Sequence, residues 1–325
     1  MDECNLWFPN QKALEDGCRG ADDGRSPEAI AVEQYLFKLG GKQRFSSVEA
    51  ATKYLEERRP LNEARYRIPG EIRMESAVFE ALFHGMQLFH FSKRDPTESK
   101  VVLYLHGGAY VNQPANEQIQ FIDRVTALTG YHVLLPIYPK APEHSFLEVY
   151  EMLIKLYKKI LERISPDQIV FMGDSAGGGL ALGLSQLLEQ EMLPQPARLI
   201  LISPWLNLYV DHPMICSCGL EEKDPMLSAE GLIHIGKVWA GGKSRRDFRL
   251  SPMYGSLRGL PAMSLYTGTR EIFWPDAQKF RALAAEQGIT IDYREWAGMN
   301  HVFPLYPIPE ALAAQDEIVS LIKSI

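Results

Sequence analysis

The sequence is poor in cysteine, in basic clusters and in long apolar runs. Only four of its 325 residues are cysteine, too few for a disulfide-stapled scaffold. Cys216-Ser-Cys218 has no second pair at zinc-site spacing. All four, Cys4 and Cys18 included, therefore read as free thiols of a reducing cytoplasm, and no metal is expected. Lysine and arginine total 34 against 41 acidic residues, a formal net charge of -7. With no basic cluster to offset that balance, nucleic acid and anionic membrane are excluded as main partners. No apolar run reaches the length of a bilayer span. Met1-Asp-Glu-Cys-Asn5 lacks the basic and apolar regions of a secretory signal, which again points to the cytoplasm. Repeats and low-complexity tracts are also missing. The chain does have a 46% hydrophobic content, enough for the core of one large α/β unit.

Periodicity divides the chain into a helical opening and a sheet-bearing remainder. Residues 1–70 contain two amphipathic stretches, Pro27–Leu39 followed by Gly40-Gly41, and Ser47–Arg59 stopped by Pro60. Two such helices bury little on their own, so they are expected to pack on the rest. From residue 71 to 325 the pattern changes to eight strands: 75–82, 86–91, 100–105, 131–138, 169–172, 198–203, 262–267 and 290–296. The first two flank His84-Gly85 and read as an antiparallel pair. The others mostly alternate with helices near 115–129, 146–163, 180–188 and 310–325, which implies a largely parallel sheet with helices on both faces. An insertion at about 205–251 interrupts the alternation, with helical character near Ser228–Trp239. It leaves the carboxyl end of a strand, where open α/β sheets keep their ligands, and reads as a cap beside the N-terminal helices.

The chemistry centres on Gln168–Leu180. An apolar strand, Ile169–Met172, runs into Gly173-Asp-Ser-Ala-Gly177, and a helical pattern follows. A G-x-S-x-G between strand and helix is a nucleophile elbow: the strained turn exposes Ser175, and its neighbours two residues away must lack side chains. A serine hydroxyl needs a base. Of the three histidines after Ser175, His212 and His234 fall in the insertion, whereas His301 follows the last strand. His301 is the candidate base. Gly107-Gly108-Ala109, after the buried strand 100–105, supplies backbone N–H groups that can approach a developing oxyanion. Gly108, Ala109 and Ala176 are the candidate donors.

Several segments recur in a familiar order: His106-Gly-Gly-Ala-Tyr110, Tyr138-Pro-Lys-Ala-Pro-Glu-His144, Gly173-Asp-Ser-Ala-Gly-Gly178, Ile202-Ser-Pro-Trp205, Asp224-Pro-Met226 and Ser251-Pro-Met-Tyr254. Over about residues 70–305 the chain resembles the hormone-sensitive-lipase-like family of α/β-hydrolases. The resemblance implies an α/β-hydrolase domain at 71–325 and a cap made from 1–70 plus the insertion. It further implies a serine carboxylesterase for short-chain esters, a small-molecule ester as partner, and no cofactor. The family's third oxyanion glycine is Ala109 here, which narrows the space for bulky groups. Gly107, Tyr110 and Trp205 are expected around the substrate, the two aromatics near the pocket wall. A deacetylase or amidase on the same residues, and a catalytically dead binding protein, are the alternatives. The physiological ester and any homo-oligomer stay open.

The acid of the triad is where the chain departs from the resemblance. The family's acid is commonly an aspartate just beyond the strand matching 262–267. Here Glu271 and Asp276 are both available in Gly268-Thr-Arg-Glu-Ile-Phe-Trp-Pro-Asp276. Glu271 sits at the strand's exit, and glutamate serves in this fold; Asp276, after Pro275, suits the start of a helix. Glu271 is the expected acid, inferred from position only.

Overall fold

A computed structural model describes residues 24–93 and 100–325; Cys4 and Cys18 lie outside the described residues. Eight strands form one sheet: β1 (Ala77–Phe83), β2 (Met86–Ser92), β3 (Val101–Leu105), β4 (His132–Ile137), β5 (Ile169–Asp174), β6 (Arg198–Ile202), β7 (Ala262–Gly268) and β8 (Ile291–Trp296). Their order is β1-β2-β4-β3-β5-β6-β7-β8. β2 runs antiparallel to both β1 and β4, and every other pairing is parallel. The β1–β2 turn takes positive φ at His84 (47°) and Gly85 (86°), the two-residue geometry whose twist matches a hairpin.

Strand alternation builds two cores. Leu103, Leu105, Phe171, Leu199 and Leu201 point to one face, and Val102, Tyr104, Val170, Met172 and Ile200 to the other. Among the described residues the helices are α1 (Pro27–Leu39), α2 (Val48–Glu63), α3 (Asn116–Thr129), α4 (Phe146–Leu161), α5 (Ala176–Gln190), α6 (Met214–Ser217), α7 (Leu220–Lys223), α8 (Ala229–Ala240), α9 (Trp274–Glu286) and α10 (Pro309–Lys323). α4, α5 and α9 cover the first face, while α3 and α10 cover the second. The α/β sandwich read from the sequence is therefore the observed one.

Two expectations need correction. α2 does not stop at Pro60 but runs to Glu63 with the proline inside it. Proline removes only its own N–H, and its carbonyl still accepts the N–H of Ala64 at 3.3 Å. Cys216 is a free thiol, but Cys218 is disulfide-bonded, so the reading of four free thiols fails at that residue; a spacing pattern alone does not fix pairing. The insertion contributes α6, α7 and α8 and, among the described residues, no strand. α2 packs against α8, which joins the helical opening to the insertion. No helix among the described residues is long and apolar enough to cross a membrane.

Candidate active site

Ser175 occupies the turn between β5 and α5 with φ 52° and ψ -120°, a strained conformation for a residue with a Cβ, costing roughly 1–3 kcal/mol. Backbone bonds hold it there: its N–H donates to Ile202 O at 2.8 Å, and its carbonyl accepts Trp205 N–H at 2.8 Å and Gly179 N–H at 3.1 Å. The flanking glycines are sterically required. A Cβ on Gly173 would run into the Gly177 carbonyl, and one on Gly177 into the Leu105 carbonyl of β3. These contacts let α5 start directly against the sheet edge.

His301, in the loop after β8, sets Nε2 3.0 Å from Ser175 Oγ, and its Nδ1 makes a short contact with Glu271 Oε2. The network assigns the proton on Nδ1, donated to Glu271, and leaves Nε2 to accept from the serine hydroxyl. The second oxygen of Glu271 accepts the Thr267 hydroxyl at 2.5 Å and the Gly268 N–H at 3.1 Å. The acid's turn is tied to the histidine loop where Arg270 N–H donates to Met299 O at 3.0 Å. Val302 N–H donates to Ser203 Oγ at 3.0 Å. Burial alone would lower the pKa of His301, but the Glu271 hydrogen bond and charge, with the charges of Asp224 and Asp174, outweigh it and raise the imidazole above its usual 6.5. Asp276 lies elsewhere. It is buried in the first turn of α9, hydrogen-bonded with Asn207, and one of its oxygens has no partner.

The Gly107–Tyr110 loop curls beside Ser175. Gly108, Ala109 and Tyr110 all take positive φ, at 117°, 56° and 63°. Ala109 thus adopts a glycine-like conformation at a cost of roughly 1 kcal/mol. Gly107 N–H is engaged, donating to Asp174 Oδ1 at 2.9 Å. The N–H groups of Gly108 and Ala109 have no hydrogen-bond partner among the described residues, and Ala176 N–H opens α5. Asp174 braces the loop: besides Gly107 it accepts Tyr104 Oη at 2.5 Å and Gln118 Nε2 at 2.8 and 3.0 Å. Burial pushes its carboxyl pKa up, against those hydrogen bonds. Sequence reasoning missed Asp174, although its place inside the G-x-S-x-G was visible.

Above Ser175 and His301 lies a cavity of about 540 Å³. Its walls include Leu36 and Leu39 of α1, Met226 and Leu227 of the insertion, and Phe273, with Gly108 and Ala109 at its base. Gly107, Tyr110 and Trp205 do not line it, contrary to expectation. Tyr110 is buried between Trp205 (ring centroids 5.4 Å) and Trp239 (4.6 Å). Trp205 stacks on Phe273 at 5.6 Å, and Phe273 meets His301 edge-on at 5.2 Å. Mutual stacking draws these large rings inward, so Tyr110, Trp205 and Trp239 support the wall and, of this stack, Phe273 reaches it.

A family model described as the alpha/beta hydrolase fold matches residues 102–305. The chain is 30% identical over 238 residues to an esterase of Acinetobacter venetianus, covering 72% of this chain and 78% of that one. It is 32% identical over 226 residues to a candidate acetyl-hydrolase of Mycobacterium tuberculosis, covering 69% and 71%. Among solved structures, a candidate esterase from Staphylococcus aureus superposes with a TM-score of 0.83 at 31% identity, covering 87% of this chain and 95% of that one.

Proposed function

The chain belongs to the α/β-hydrolase family, and we propose that it is a serine carboxylesterase that cleaves short-chain esters through Ser175, His301 and Glu271. The carrying observation is the unbroken line of hydrogen bonds from Glu271 through His301 to the Ser175 hydroxyl. Ser175 Oγ attacks the ester carbonyl as His301 Nε2 takes its proton. Glu271 holds the ring in the required tautomer and stabilises the imidazolium. The tetrahedral oxyanion forms beside Gly108, Ala109 and Ala176, whose N–H groups stabilise it; each such donor is worth about 3 kcal/mol. His301 then protonates the leaving alcohol, and a water activated by the same nitrogen releases the acid from the acyl-enzyme.

The cap in this reading consists of the helices within residues 1–70 and the insertion at about 205–251. Together they close the cavity with apolar side chains, Leu36 and Leu39 from one and Met226 and Leu227 from the other. A cavity of about 540 Å³ suits an ester of modest size. Relatives named acetyl-hydrolase support a small acyl group. Two assays test the proposal. Ser175→Ala should abolish hydrolysis of p-nitrophenyl butyrate while leaving the thermal unfolding midpoint unchanged; retention of near wild-type turnover would end it. A series of p-nitrophenyl esters should peak at short chains, and a maximum at about twelve carbons or beyond would remove the size assignment.

A further inference from the structure

Asp224, from the insertion, reaches the turn that carries Glu271. One of its oxygens accepts the N–H groups of Met226 and Leu227 at 2.8 and 2.9 Å, and the other accepts the N–H of Ile272 at 3.1 Å. Ile272 directly follows Glu271, while Met226 and Leu227 line the cavity above Ser175. The chain around Asp224 is held from the other side by Lys42, whose ammonium donates to the carbonyl oxygens of Asp224 (3.1 Å) and Glu221 and pairs with the Glu221 carboxylate at 3.6 Å.

The proposed chemistry does not use Asp224, yet the residue is fully buried. Burying a carboxylate is costly unless it is paired and hydrogen-bonded. The local turn at Met226 and Leu227 could be capped by serine or asparagine without a buried charge. A carboxylate adds a second acceptor that reaches Ile272, and a negative charge close enough to act on His301. We propose that Asp224 is a positioning residue for the esterase reaction, tying the cavity wall at Met226 and Leu227 to the turn that aims Glu271 at His301. The inference rests on the roles assigned above to Ser175, His301 and Glu271.

Wall and acid then keep one register. Glu271 is fixed on its strand side by Thr267 and Gly268 and on its helix side through Ile272 and Asp224. The charged and titratable groups that bear on Asp224 are His301 and Lys42 with Glu221, while Glu271, Asp174 and Tyr306 share its neighbourhood. Burial pushes its carboxyl up to about 6, against His301 and the three N–H bonds, so it is an anion at neutral pH. Its charge joins those of Glu271 and Asp174 in raising the His301 pKa.

The test uses the full chain with two substitutions. Asp224→Asn keeps an acceptor but turns an amide N–H₂ toward Ile272; Asp224→Ser keeps the local cap and loses the reach and the charge. For folded variants, kcat on p-nitrophenyl butyrate should fall by about ten- to a hundredfold, with a smaller change in KM. The acid limb of kcat/KM should move to lower pH, a shift that a merely structural role would not produce. A folded variant with kcat within about twofold of wild type and an unmoved acid limb overturns the proposal. Loss of folded protein in both variants also overturns it, because it would make Asp224 a requirement of the fold. Fluorophosphonate labelling separates the two levels: an unlabelled wild type would overturn the esterase reading itself, whereas a labelled wild type with indifferent Asp224 variants overturns only this inference.

Discussion

The line from Glu271 to Ser175 and the helix that roofs it are held by different means. Ser175, His301 and Glu271 are buried and pinned by backbone: an elbow that admits no Cβ on either flank, a loop bonded to Ser203, and a turn bonded to Met299. α1 exposes Tyr35 and Leu39 at 59% each. It is attached by two polar anchors. Ser26 donates its N–H and hydroxyl to Glu310 at 2.6 and 2.8 Å, and Glu33 sits between Arg25 at 3.0 Å and Arg270 at 2.6 Å. Chemistry needs atoms fixed to a fraction of an ångström, whereas a substrate must enter and leave. On this account the buried line sets kcat, and the lightly attached roof sets which ester is accepted.

The largest effect that would sharpen this contrast is at the acid. Glu271→Gln should leave the unfolding midpoint nearly unchanged and lower kcat by about 10³–10⁴-fold, because an amide cannot stabilise the imidazolium. The pH profile adds a sign. His301 acts only when neutral, and its pKa is raised above 6.5, so wild-type kcat/KM should fall with acid at a midpoint above 6.5. In Glu271→Gln the midpoint should move down. Next comes the elbow. Gly177→Ala sets a methyl against the Leu105 carbonyl and should cost about 3 kcal/mol of stability, read as a drop in thermal midpoint. Survival of both stability and turnover would break the claim that sterics build the site.

Smaller effects belong to the roof. Glu33→Gln removes the charge that Arg25 and Arg270 share, and should raise KM by several-fold or alter chain-length preference, with kcat within about twofold. A kcat loss as large as that of Glu271→Gln would erase the distinction between the two regions. Asp276→Asn should change kcat least of all. Burial pushes the Asp276 carboxyl up to about 7, against its Asn207 bond and Lys279. Since the folded chain holds this proton more tightly than the unfolded one, wild type loses stability as pH rises from about 4 to 7. The asparagine variant should be spared that loss, a difference that thermal melts across this range would measure.

What could be read from the sequence follows the range of the interactions involved. β5, its elbow and α5 were legible because an apolar run, a glycine pair and a helical pattern are contiguous. Chain order and strand exits pointed to His301 and Glu271, and the structure sets His301 against Ser175 and Glu271 against His301. The end of α2 was misread, since a proline in a last turn costs only one hydrogen bond. Tyr110 and Trp205 are expected at the pocket wall, yet they stack behind it, between Trp239 and the wall residue Phe273. Asp224 was visible only as part of Asp224-Pro-Met226, and neither its contact nor that of Glu33 could be read. Their partners, Ile272 and Arg270, lie far along the chain, and no local spacing announces such a contact.

The central claim is that Ser175 is a nucleophile activated through His301 by Glu271. Its most direct test is fluorophosphonate labelling of wild type, His301→Ala and Glu271→Gln, with the modified peptide identified by mass spectrometry. The account predicts a single adduct on Ser175 in wild type, formed more slowly by orders of magnitude in both variants. An adduct on another serine, or equal labelling rates in all three proteins, would contradict it.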